Sequence, residues 1–307
     1  ITSAGKVGIG PDAPDSTLHV QTASAGSVTA VSNYDDLIVE NSTHCAISIW
    51  APDNCQSALA FGSPSDAGGA YVTWVHDTNL MTVGTTNTGG ILKFISDDGT
   101  EAMRIDSSQN VGIGNASPHA THADFDSISL GGGGFIQSTH TAGASNSIAF
   151  AVNAHYDTDG TWEYISDDEA ALYYMQNGQH NFQVKGVGTA PADVGFTAAM
   201  TIDSSGNVGI GVTPETNWWS GNSALQLGGT GTMSSNTAAG TGASMRLGQN
   251  VVQRSSTDNY IVGDEAALFE IGNNGQFAFK VAAAGSADAA ITFTTAMQID
   301  NSGISRS

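Results

Sequence analysis

Ala102-Met103-Arg104-Ile105-Asp106-Ser107-Ser108-Gln109-Asn110-Val111-Gly112-Ile113-Gly114 decides the reading of this chain, because it comes back. The second copy runs Ala199-Met200-Thr201-Ile202-Asp203-Ser204-Ser205-Gly206-Asn207-Val208-Gly209-Ile210-Gly211, and a third begins at Ala296-Met297-Gln298-Ile299-Asp300 before diverging. Met103, Met200 and Met297 are spaced by 97 residues each time. The spacing holds between the copies as well. Leu130-Gly131-Gly132 recurs 97 residues on as Leu227-Gly228-Gly229, and Asn177-Gly178-Gln179 as Asn274-Gly275-Gln276. Asp168-Glu169-Ala170-Ala171-Leu172 recurs 96 residues on, at Asp264 to Leu268. Gly5-Lys6-Val7-Gly8-Ile9-Gly10 is the second half of an earlier copy. A repeat of this length decides architecture before any local propensity does. The expected units are 1–101 (starting mid-repeat), 102–198 and 199–295, with 296–307 opening a further copy or closing the chain.

Each unit reads as β-structure. Met103 and Ile105 are two apart and share a strand face, as do Met200 with Ile202, Met297 with Ile299, Val111 with Ile113 and Val208 with Ile210. Asp-Ser-Ser-Gly-Asn is turn chemistry, with short side chains that bond their own backbone and a Gly that accepts positive φ. Strand, turn, strand predicts a hairpin with one apolar face. Pro14, Pro118 and Pro214 then end the second strand, because Pro cannot donate to a ladder. Further alternation predicts strands at Leu18-His19-Val20, Ile47-Ser48-Ile49, Ile128-Ser129-Leu130, Ser147 to Val152, Leu225-Gln226-Leu227 and Phe277 to Val281. Segments 168–175 and 264–271 read as short helices or equally as strands. The expected fold class is all-β, with less than about a tenth helix against a base rate near one third. The repeats are expected to make it elongated, with about three units.

Composition narrows the function. Charged residues make up 12% of the 307, about half the usual share, while 38 glycines and 40% hydrophobic residues argue against both coiled coil and disorder. The formal net charge is −21, which disfavours nucleic acid and anionic membranes as partners. No apolar run reaches the ~20 residues of a membrane span. So acidic a surface is a candidate for a divalent cation. Asp157-Thr158-Asp159-Gly160 with Glu163 looks like part of a calcium loop but fails EF-hand spacing, so no metal site is assigned. Gly131 to Gly134 lacks the Lys-Ser/Thr of a phosphate loop. Eight scattered histidines form no metalloprotease motif and no nucleophile elbow is present, so no catalytic or cofactor-binding residue is assigned and an enzyme is not expected. Cys45 and Cys55 leave a local bridge and two free thiols equally open. Trp218-Trp219 would face opposite sides of a strand, offering a receptor or inter-chain contact. The sequence opens without Met or a signal peptide and reads as a piece of a longer chain.

The string from Ala199 to Gly211, followed by Pro214, resembles the "MRIDSSGNVGIG…P" repeat of bacteriophage tail fibres and related virion appendages. Ser16-Thr17-Leu18-His19-Val20 is similar to the strand that follows it in that family. The resemblance covers about a fifth of the chain, at spaced positions. Gln109 replaces the turn Gly, and Ile304-Ser305-Arg306-Ser307 replaces Asn-Val-Gly-Ile in the last copy. Such repeats often precede an intramolecular chaperone that trimerises the chain and cleaves itself off; no such domain is present here, so that activity is not carried over. The resemblance implies a structural fibre in an extracellular virion appendage, a parallel homotrimer, with other virion proteins and a host-surface glycan or protein as partners. The alternatives are a polysaccharide-degrading tailspike and a bacterial surface adhesin. Repeats that cannot close their own core stack or intertwine. The expectation is that Val208 and Ile210 pack inward while Gly209 and Gly211 admit a second backbone; Gly112 and Gly114 hold the same positions one unit earlier.

Overall fold

A computed structural model describes residues 1–307 apart from 28, 29, 141, 142, 144, 145, 241, 242, 256, 304 and 307. Ile304 and Ser307, part of the divergent last copy, therefore lie outside the described residues. Among the described residues there is no helix; every regular element is a strand. The chain divides into two compact units, Ile1–Asn87 and Thr88–Ser307. The sequence repeats and the compact units are thus bounded differently.

The first unit holds two separate sheets. Strands β1 (Val7–Ile9), β2 (Leu18–Gln21) and β3 (Leu37–Glu40) pair in parallel. Strands β4 (Gln56–Ser63), β5 (Asp66–Val75) and β6 (Leu80–Thr85) form an antiparallel meander. Ile47-Ser48-Ile49 lies outside any strand, because alternation marks a side's character but supplies no ladder partner. Cys45 and Cys55 are both free thiols.

The second unit is one long ladder. It begins with β7 (Leu92–Ser96), β8 (Thr100–Ile105), β9 (Val111–Ile113), β10 (Phe125–Leu130), β11 (Gly134–Thr139) and β12 (Ser147–Val152). A small hairpin, β13 (Ala154–Tyr156) with β14 (Trp162–Tyr164), leaves the ladder here. The ladder resumes with β15 (Ala170–Gln176), β16 (Gln179–Lys185), β17 (Thr197–Ile202), β18 (Val208–Ile210), β19 (Asn222–Leu227), β20 (Gly231–Asn236) and β21 (Ser244–Gln249). A second small hairpin, β22 (Val252–Arg254) with β23 (Thr257–Asn259), sits where the first did one repeat earlier. Strands β24 (Ala266–Gly272), β25 (Phe277–Ala282), β26 (Thr294–Ile299) and β27 (Ser305–Arg306) follow. The same set of strands is traversed twice, and β16 hydrogen-bonds to β17, joining one turn of this β-solenoid to the next.

The repeat motif forms the hairpins expected of it. Met103 pairs with Ile113 and Ile105 with Val111; Met200 pairs with Ile210 and Ile202 with Val208. In the turns, Asp106 Oδ1 accepts from the Ser108 and Asn110 amides, and Asp203 Oδ1 from Ser205 and Asn207. Gln109 takes the left-handed φ of 68° where Gly206 has 84°, so the departure from the motif is absorbed without changing the turn. Such a conformation costs a non-Gly residue roughly 1–2 kcal/mol. The next step is parallel: β9 beside β10 and β18 beside β19, as β1 beside β2. A parallel step needs a connection long enough to carry the chain back; the Pro-containing segments 114–124 and 211–221 supply it.

Candidate interaction surface

Alternation gives the ladder two faces. From Ile105 the cross-strand partners run Val111, Ile128, Ile136, Phe150, Tyr173, Phe182, Met200, Ile210 and Leu227. From Ile202 they run Val208, Leu225, Met233, Leu247, Phe269, Phe279 and Met297. Neither row contains a charge. Aromatic rings stack along them, with centroids 4.6 Å apart for Tyr173 and Phe182 and 4.8 Å for Phe269 and Phe279. Directly opposite apolar pairs are the unit of sheet stabilisation, so this face is internally well made.

The chain nevertheless leaves it open. Phe150, Phe182, Ile210, Leu227, Leu247 and Phe279 are 38–49% exposed. The ion pairs Arg104–Glu101 and Lys280–Glu270 lie on the other face. That other face is the one the chain covers, and most of its buried residues are small or polar (Ser127, Ser129, Gln137, Ala149, Ala151, Asn181, Gln226 and Thr232), with Phe135, Leu172 and Leu268 as the large apolar ones. In the first repeat the cover is the β13–β14 hairpin, which builds a cluster of Phe135, Ala154, Tyr164, Leu172 and Val194 with Trp162 and Phe196 against it.

The repeat residues singled out from sequence therefore occupy the uncovered face. Met103, Ile105, Val111, Met200, Ile202, Val208 and Ile299 are half-buried; Ile113, Ile210 and Met297 are exposed. None belongs to the chain's own buried core. Gly112 and Gly209 point the opposite way and are buried, and the reason corrects an expectation. A Cβ on Gly209 would collide with the Val212 carbonyl oxygen and the Pro214 ring, and one on Gly112 with the Asn115 oxygen and Pro118. The close approach is made by the chain's own Pro turn, not by a second chain. Gly114 and Gly211 serve the same turn through positive φ (64° and 68°).

The tryptophan pair is split by the fold. Trp218 is buried with Ala224 and Val252 in the interior of the second repeat, so it offers no contact surface; Trp219 is partly exposed. The two lie outside any strand, where the side-alternation rule does not act. In the first unit, the β4–β6 meander buries only Thr73, leaving Leu59, Phe61 and Met81 more than half exposed.

Rows of partners set the register between repeats. The row from Ile105 reaches Met200, not Ile202, its counterpart 97 residues on; the row from Ile202 reaches Met297, not Ile299. Each repeat advances the register by two residues, and a bulge recurs at Phe182/Gln183 and Phe279/Lys280. No known protein family, curated protein or solved structure matches the chain.

Proposed function

We propose that this chain is a structural fibre protein of a virion, a phage tail fibre or similar external appendage, assembled as a parallel homotrimer through the uncovered apolar face. The observation that carries the reading is that continuous apolar face, spanning the ladder and belonging to no core within the chain, with the Asp126 carboxylate at its margin beside His140. Separately folded globules of 87 and 220 residues would expose roughly 14,000 Å² together, yet the chain exposes 18213 Å². Contiguous apolar patches beyond a few hundred Å² mark interaction sites in soluble proteins. The β4–β6 meander supports the same reading, since a three-stranded sheet without a covered hydrophobic face is not stable alone. A second and third copy supply a matching surface, and the central rows from Ile105 and Ile202 carry no charge to desolvate. The three-fold number, the virion setting, the other virion proteins and the host glycan or protein as partners rest on the tail-fibre resemblance.

Mass photometry of the purified chain tests the assembly: the expected mass is three times 31.3 kDa. A folded monomer would overturn the fibre reading, and a dimer the three-fold number. Phe182→Asp with Phe279→Asp places unpaired charges in the shared core, at a cost of several kcal/mol each, and is expected to abolish the trimer. Immunogold labelling of an external appendage on particles supports the virion setting; labelling confined to a bacterial surface transfers the protein to the adhesins.

A further inference from the structure

The hairpins β13–β14 and β22–β23 occupy the same place in successive repeats, yet only the second contains its own cation. Val252 faces Asn259 across the second hairpin as His155 faces Glu163 across the first, and Arg254 stands where Asp157 does. The Arg254 guanidinium lies 2.6 Å from Asp288 and 3.6 Å from Glu215. In the first hairpin the guanidinium is replaced by a carboxylate. Asp157, Glu163 and a ring nitrogen of His155 bring their ligand atoms within 4.8 Å of one another. Asp159 and Asp193 stand beside them, bridged by the Thr161 hydroxyl, which donates to both (2.8 and 3.2 Å). None of these four carboxylates forms an ion pair with a Lys or Arg among the described residues.

His155 is an independent pointer to a ligand. It is nine-tenths buried, its Nδ1 has no hydrogen-bond partner, and its Nε2 stands 4.0 Å from Glu163 Oε2, too far for a hydrogen bond. The His119 ring packs on it at 4.6 Å. Four carboxylates thus converge on one buried imidazole at the position where the second repeat carries Arg254.

We propose that the β13–β14 hairpin is a divalent metal site, with His155, Asp157 and Glu163 as ligands, taking an ion of mixed imidazole and carboxylate preference, Zn²⁺ first. Calcium takes six to eight oxygens and gains little from imidazole, whereas zinc accepts N and O donors in fours, with water or a neighbouring carboxylate completing the shell. Zinc bonds of about 2.0–2.2 Å bring donor atoms to roughly 3.3 Å apart, so the side chains must draw in by about 1 Å. The bound ion would pin the hairpin over the Phe135 and Trp162 cluster. This inference is separate from the fibre reading and stands whether or not the chain is a trimer.

The test uses the full chain, stripped with EDTA and dialysed. Added Zn²⁺ is expected to bind at about one ion per chain by mass spectrometric metal analysis and to raise the melting temperature. His155→Val and Glu163→Asn install the residues of the second hairpin; both are expected to keep the β spectrum and lose the bound ion. Asp157→Arg is expected to raise the stability of the stripped protein and remove its response to Zn²⁺. No bound Zn²⁺ in the wild-type chain, or full binding by all three variants, would overturn the site. A response to Ca²⁺ with none to Zn²⁺ would overturn the role of His155 as a ligand.

Discussion

The first and second repeats of the ladder share a frame and differ in what fills it. The frame is kept by polar anchors. Asn153 and Asn250, both left-handed (φ 55° and 61°), donate from Nδ2 to the carbonyls of Ser166 and Glu169 in one repeat, and of Val262, Asp264 and Glu265 in the other. Tyr164 donates its hydroxyl proton to the Gly186 carbonyl, and Tyr260 to that of Ala283, 97 residues on. The filling changes as a set. In the first repeat Trp162 packs against the cluster that holds Ala149, with its ring 6.3 Å from Phe135 and 5.4 Å from Tyr156. In the second, Arg246 and Asp258 hold those two positions in a two-pronged pair (2.8 and 2.5 Å), while Lys280 and Glu270 pair beside them (2.9 Å). One aromatic interior and one ionic interior fit the same backbone because each satisfies its own members. A half-exchanged interior would not, since a buried charge without its partner is costly.

Breaking each filling should give the largest effects. Trp162→Ala is expected to cost about 3–5 kcal/mol through the cavity it leaves. Arg246→Ala should cost about 3–5 kcal/mol through the stranded carboxylate of Asp258. Denaturant unfolding of the double variant Arg246→Ala with Asp258→Ala sharpens the comparison. It should recover part of the single loss, and a double loss equal to the sum would show that the ion pair is not the unit of replacement.

Shared features should respond alike. Gly112→Leu and Gly209→Leu each drive a side chain into the repeat's own Pro turn, at about 1–3 kcal/mol by overpacking. Because the collision lies within the chain, the loss should appear as a lowered melting temperature of a protein that still assembles as the wild type does. A loss that shows instead as dissociation of the assembly would return the crowding to the interface.

The smallest effect separates the repeats by pH. His119 and His155 belong to the first repeat; Thr216 and Val252 replace them in the second. Burial holds their folded pKa values below the ordinary imidazole value of about 6.5, so the unfolded chain binds protons first. Stability should therefore fall as pH drops below about 6.5. Glu163 has the opposite sign: its pKa is raised above 4.5, so its contribution is present below that value and is lost as pH rises through the folded one. The histidine part is isolated as the difference in melting temperature between wild type and His155→Val in EDTA. That difference should shrink as pH falls from 7 toward 5.5, and a constant difference would count against the buried neutral imidazole.

Much of the ladder was legible in residues 102–114 and their copies. Period, hairpin, turn and strand alternation all follow from local chemistry. What stayed hidden is which face the chain itself covers. Val111-Gly112-Ile113 states that Val and Ile share a side, but the cover comes from Pro118 and from a hairpin some 40 residues on, which no local window contains. Val208 and Ile210 were read as inward, and they lie on the side the chain leaves uncovered, while the covered side holds mostly Ser, Ala, Gln and Gly around Phe135, Leu172 and Leu268. The cluster on β13–β14 was half legible: Asp157, Asp159 and Glu163 stand out as part of a calcium loop, whereas the placing of His155 opposite Glu163 depends on the hairpin ladder.

The two-residue advance per repeat makes the apolar side a screw thread. Because side chains alternate with period two, two is the smallest step that shifts the rows and still keeps every large residue on the same side. At about 3.3 Å per residue, each added 97-residue copy displaces the thread by roughly 7 Å. Tandem duplication could then lengthen the protein like a ruler, with no new surface to invent. Chains engaged along such a thread would have to unwind rather than slide apart, so an assembly built on it would resist pulling in proportion to the number of repeats it contains.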